Sequence, residues 1–108
     1  MTAPTPTNAT EVRDNTDDAR FEIWVDGELA GFTTYVLRSG VISFLHTELD
    51  PRFQGRGLGQ ELAAVALRSA RQRDLKVLPF CPYIRGFIAR NSEFLDLVPE
   101  QDRARFDI

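Results

Sequence analysis

The sequence predicts a mixed α/β domain of the α+β type: a three-strand antiparallel meander, then a glycine loop, a helix, a further strand and a second helix. Three observations predict it. Apolar residues alternate between Phe21 and Leu49 and are interrupted twice by turn dipeptides. A glycine-rich loop, RFQGRGLGQEL at 52–62, stands directly ahead of a long amphipathic stretch, and a short apolar run, LKVLPF, follows that stretch. With 108 residues, 43% of them hydrophobic and eight of them Phe, the chain suffices for one domain with a real core and not for two.

Taken in order, residues 1–18 are rich in Thr, Pro, Asn and Asp and carry almost no apolar side chains. Such a segment cannot offset its own ordering entropy, so a disordered tail is expected there, with the folded domain spanning 19–108. In FEIWV, Phe21, Ile23 and Val25 share one face of a first strand, and Asp26-Gly27 is a hairpin turn. ELAGFTTYVL reads as its partner, and Arg38-Ser39-Gly40 turns the chain into a third strand, VISFLHTEL. Asp50-Pro51 ends that strand. After the glycine loop, Leu58, Leu62, Val65 and Ala66 recur at helical spacing, and Ala63, Leu67 and Ala70 widen the stripe. LKVLPF is read as a fourth strand, buried on both faces, for which pairing parallel to the third is the candidate arrangement. YIRGFIAR then gives a shorter amphipathic helix, and SEFLDLVPEQDRARFDI fits either a short strand or helical turns.

Composition excludes several functions. There is no apolar run of membrane-spanning length, and the N-terminus has no apolar signal core, so no membrane association and no export are expected. Cys81 is the single cysteine and lacks the clustering of a zinc site, so no metal is expected and a reducing cytoplasm is the default compartment. The net charge of -3 is unevenly spread: residues 52–90 carry Arg52, Arg56, Arg68, Arg71, Arg73, Lys76, Arg85 and Arg90 against only Glu61 and Asp74. A local positive field suits a phosphorylated ligand. No basic stripe is interleaved with aromatics, so nucleic acid is not an expected partner.

The glycine loop carries the most specific signal. A phosphate loop of the nucleoside-triphosphate type needs Lys followed by Ser or Thr after its last glycine, and Gln60-Glu61 stand there instead. A dinucleotide fingerprint needs G-x-G-x-x-G straight after a strand in a βαβ unit. Here Gly55, Gly57 and Gly59 are spaced G-x-G-x-G after a proline-containing loop. What survives is general: glycines let successive N–H groups turn inward, and the following helix N-terminus adds its positive end, a cradle for a pyrophosphate.

Gln54-x-x-Gly57-x-Gly59, set between a strand and a helix, resembles the Q/R-x-x-G-x-G/A signature of the GNAT superfamily of N-acetyltransferases. HTELDPRFQGRGLG and LKVLPFCPYIRGFI extend the likeness to a small single-domain GNAT-like subgroup, over roughly residues 20–98. The resemblance implies that the loop binds the pyrophosphate of acetyl-CoA through the amides of Gln54, Gly55, Arg56, Gly57, Leu58, Gly59 and Gln60, with Arg52 and Arg56 flanking the phosphates. It implies that Thr47, Glu48 and Leu49 run beside the pantetheine arm and the thioester. A V-shaped splay between the third and fourth strands would admit the acyl group, with Cys81 emerging beside it.

An amine must attack in its neutral form, yet a lysine with pKa near 10.4 is only about one part in 2,500 neutral at pH 7. A base, desolvation or both must help, and the departing thiolate of coenzyme A needs a proton. His46 and Glu48 lie two positions apart on one strand face and are candidates for the base. Cys81 could protonate the leaving thiolate, take the acetyl group itself, or simply be buried. Larger GNAT members place a general-acid Tyr well along the second helix; this chain has Phe87 there, and Tyr83, which comes early, reads as a packing residue. The expected function is therefore an acetyl-CoA-dependent N-acetyltransferase acting on an unidentified amine of a small molecule or protein, as monomer or dimer. A non-catalytic acyl-CoA-binding or interaction module is the alternative.

Overall fold

The structure is a computed structural model and describes residues 9–108. Five strands, β1 (Thr10–Asn15), β2 (Arg20–Val25), β3 (Glu28–Arg38), β4 (Val41–Leu49) and β5 (Lys76–Pro79), form one sheet in the order β1-β2-β3-β4-β5. Neighbours in β1 to β4 are antiparallel, and β5 is parallel to β4. Two helices, α1 (Leu58–Gln72) and α2 (Pro82–Arg90), flank β5 in sequence. The C-terminal segment, ambiguous in sequence, consists of helical turns: a 3-10 segment at Ser92–Leu97, the single-turn α3 (Glu100–Arg103) and a 3-10 turn at Ala104–Phe106.

The two hairpin turns follow from residue type. Asp26 and Gly27 have φ of 49° and 83°, and Ser39 and Gly40 have 53° and 79°, the paired positive values of a two-residue turn matching strand twist. Phe21, Ile23 and Val25 of β2, Tyr35 of β3, and Ile42 and Phe44 of β4 are buried on the sheet face that α1 and α2 cover. Leu58, Leu62, Ala63, Ala66, Leu67 and Ala70 supply the facing stripe of α1; the small alanines let the helix lie close to the sheet. Among the described residues no helix lies on the opposite sheet face, and Trp24, Phe32, Thr34, Val36, His46 and Glu48 there are half-buried or exposed.

Two expectations are corrected. Of the expected 1–18 tail, residues 1–8 lie outside the described residues, but Thr10–Asn15 is not disordered: it adds β1 and makes the meander four-stranded rather than three-stranded. Apolar content was the wrong measure for this edge strand. Its ladder to β2 is joined by Val12 packing on the core, by Tyr35 Oη donating to Asp14 at 2.6 Å, by Asn15 Nδ2 donating to Glu22 at 3.0 Å, and by the Arg13 guanidinium 4.8 Å from the Trp24 ring centre. The strand expected to be buried on both faces, β5, is buried on one: Val77 and Pro79 point into the core, Lys76 is exposed and Leu78 half-buried, because only one sheet face is covered. Among the described residues no helix is long and apolar enough to cross a membrane.

Candidate active site at the split between β4 and β5

The site is built around the C-terminal half of β4. The β4–β5 ladder runs only from Val41↔Lys76 to Phe44↔Pro79, and Cys81 N–H closes it by donating to Phe44 C=O at 2.8 Å. Beyond that bond β5 turns away into α2, leaving residues 45–49 of β4 paired to β3 alone. A parallel partner ends and a strand edge opens, the split that the resemblance implies.

A β-bulge decides what faces this opening. Tyr35 pairs with Phe44 and Thr34 with His46, so Leu45 is the extra residue. Before the bulge, Ile42 and Phe44 point into the core; after it, Thr47 points toward the buried side, while His46 and Glu48 share the uncovered face. Without the extra residue, His46 would follow Phe44 into the core. Period-two alternation paired His46 with Glu48 correctly, and their side chains lie 3.0 Å apart, each more than half exposed. It could not show the bulge, which assigns the pair to its face.

On the buried side, Cys81 Sγ lies 3.0 Å from Thr47 Oγ1, which lies 2.9 Å from Thr33 Oγ1. Cys81 is 2% exposed and Thr33 fully buried, so a chain of three polar side chains runs from the core to the strand edge. Cys81 also occupies the N-cap of α2, its backbone extended and Pro82 at the first helical position. Sequence reasoning singled out Cys81 and Thr47 but missed Thr33, because nothing in a strand sequence marks which cross-strand hydroxyls will meet.

The glycine loop begins with a 3-10 turn at Pro51–Phe53, capped by Asp50 Oδ1 accepting from Arg52 N–H at 2.9 Å and anchored by buried Phe53. The guanidinium groups of Arg52 and Arg56 lie 5.3 and 5.4 Å from the Phe53 ring centre. Arg52 is also held by Asp50 at 3.0 Å and Glu28 at 3.6 Å, and its side-chain hydrogen bond keeps the Asp50 carboxyl below its usual range. Arg56 has no carboxylate partner among the described residues, so of the two arginines it is the one whose charge is uncommitted. Gly55 and Gly57 have φ of 84° and 73°, which turns the chain so that Gly57 leads into α1.

Gln54 N–H donates to Pro51 C=O at 3.3 Å, and Glu61 N–H donates to Gly57 C=O at 3.1 Å. Between them, the N–H groups of residues 55–60 have no protein acceptor among the described residues. Leu58 and Gly59 are buried and Gln60 exposed, at the electropositive end of a 15-residue helix. Leu49 is half-buried where β4 runs toward this loop. A cleft of about 330 Å³ lies beside the end of β4, lined among others by Leu29, Phe32, Glu48, Leu49 and Pro51. No group of three or more potential metal ligands occurs among the described residues.

A family model for the GCN5-related N-acetyl-transferases matches residues 20–97, which include the whole of this site. The chain belongs to this family. Solved structures share the fold of this GCN5-related N-acetyltransferase. A protein from Staphylococcus aureus described as GCN5-like, solved by NMR in solution, superposes with a TM-score of 0.64 at 20% identity, covering 82% of this chain and 87% of that one. A ribosomal-protein-alanine N-acetyltransferase from Brucella melitensis biovar Abortus 2308 gives 0.53 at 18% identity, covering 74% of this chain and 60% of that one. In sequence, the chain is 33% identical over 51 residues to Protein NATD1 of Bos taurus and of Homo sapiens. That match takes in 47% of this chain and 45% of each relative's length.

Proposed function

We propose that this GCN5-related N-acetyltransferase uses acetyl-CoA as its acyl donor and acetylates an amine that approaches from the uncovered face of the sheet. The observation that carries the reading is a juxtaposition: unpaired N–H groups at 55–60 follow directly on the free edge of β4 at 45–49, and the buried Cys81 thiol meets Thr47 of that edge where β5 departs. The residues present fit such a donor. The amides and uncommitted Arg56 supply positive ends for a pyrophosphate. The β4 edge offers alternating N–H and C=O groups to an amide-bearing arm, as a missing strand would. Coenzyme A brings an activated thioester; the chain's own residues orient it and manage protons.

In this reading Glu48 and His46, neighbours on the uncovered face, take a proton from an ammonium acceptor, directly or through water, and backbone N–H groups of β4 polarise the thioester carbonyl. In the same reading the Cys81 thiol, hydrogen-bonded to Thr47, returns a proton to the leaving thiolate. The cleft beside Glu48 gives the acceptor a wall of Leu29 and Phe32, with Glu48 and Asp50 also in its lining. Because no helix among the described residues covers that face, the acceptor has a shallow bed. This same feature favours the second reading, a module that binds acyl-CoA without an efficient acceptor site.

Turnover separates the two. Wild type is expected to speed free-thiol release from acetyl-CoA when a panel of amines, including lysine-containing peptides, is supplied. Glu48→Gln and Cys81→Ala should each lower kcat by about 10²-fold or more while leaving coenzyme A affinity within a few-fold. Tight coenzyme A binding with no amine accelerating thiol release would leave the binding module standing.

A further inference from the structure

We propose that Tyr83 is a coenzyme A-binding residue, its hydroxyl donating a hydrogen bond to the pyrophosphate at the N-terminus of α1. The inference rests on the reading above that residues 55–60 hold that group. Tyr83 is the second residue of α2, two positions after the Cys81 cap, yet its ring reaches across to α1. A Cβ added to Gly59 would lie 2.5 Å from Tyr83 Oη and 2.9 Å from its Cζ.

That contact gives the last glycine of the loop a different purpose from the first two. A Cβ on Gly55 or Gly57 would meet nothing within 4 Å, and both have positive φ, so they are glycines for the sake of the backbone. Gly59 lies inside α1 with φ in the ordinary range, where glycine is a poor helix former. What it provides is room for the Tyr83 ring. Cβ bonds on a helix tilt toward its N-terminus, so the group filling that room sits beside the first turn, next to the free N–H groups.

The hydroxyl is also uncommitted. The other tyrosine, Tyr35, spends its Oη on Asp14 at 2.6 Å, whereas Tyr83 Oη has no protein partner among the described residues and its residue is 38% exposed. A phenol beside a cluster of N–H donors is complemented by an acceptor they can share, and a pyrophosphate oxygen is such an acceptor. Packing alone would need the ring and not the hydroxyl.

Tyr83→Phe keeps the ring and removes the hydroxyl. In calorimetric titration with coenzyme A it is expected to bind roughly tenfold more weakly than wild type, the loss of one hydrogen bond to a charged acceptor. In phosphorus NMR of the bound ligand, the pyrophosphate resonances should move between wild type and variant while the 3′-phosphate resonance stays put. Gly59→Ala, which displaces the ring, should weaken binding at least as much, with thermal stability showing that it folds. Wild-type affinity in Tyr83→Phe, or weaker binding with unmoved pyrophosphate resonances, would overturn the assignment. Failure of the wild type to bind coenzyme A would overturn the parent reading, and this one with it.

Discussion

Glu22 lies on the uncovered face of the sheet yet is only 4% exposed, because its neighbours close over it. Burial alone would raise its carboxyl, but hydrogen bonds from Asn15, Arg20 and Trp24 outweigh burial and hold it below its ordinary value. The sign follows: a carboxyl lowered on folding stabilises the fold above its unfolded value and loses that contribution as pH falls through the folded one. Glu22→Gln should therefore flatten the acid limb of a stability-against-pH curve. Glu22→Ala should cost about 2 to 4 kcal/mol at neutral pH by removing the acceptor that Asn15, Arg20 and Trp24 share, read as a lower urea midpoint. At Gly57, φ of 73° makes any side chain strained. Gly57→Ala should cost about 1 to 2 kcal/mol and, by rotating the amides on either side, weaken coenzyme A binding; thermal unfolding and titration of the same sample read both.

At the scale of elements, β1 is the strand that composition hides. It covers the edge of β2 and brings Asn15 to Glu22 and Asp14 to Tyr35, whose phenol is pushed up to about 12 by burial and that carboxylate. A chain lacking residues 1–15 should unfold several degrees lower and associate more readily, since β2 becomes an open edge; scanning calorimetry and size-exclusion chromatography read the two effects, and an unchanged midpoint would assign β1 no structural weight. Other elements were legible because their signals are local. Asp26-Gly27 and Ser39-Gly40 name their turns, and the Leu58 to Ala70 stripe names its helix. The bulge at Leu45 was not legible, since register is settled by pairing with β3 rather than by β4's own residues. It nevertheless determines that Thr47 meets Cys81 and that His46 and Glu48 face outward.

Across the whole molecule, residues distant in sequence meet at one sheet opening: the loop at 52–62, the end of β4, and the start of α2. The loop was readable because a glycine-rich turn ahead of a helix is a contiguous pattern, and the family model matches a stretch that contains it. Thr33 and the Gly59–Tyr83 contact were not, since each depends on two elements docking. The covering of one sheet face leaves the other free, which is where the acceptor is proposed to bind. The central claim is that the β4–β5 split and the glycine loop are one coenzyme A site. Amide NMR of the full chain titrated with coenzyme A tests it most directly. The account predicts saturable shifts concentrated at residues 45–49, 55–60 and 81–83; shifts confined to other surfaces, or none at millimolar ligand, would contradict it.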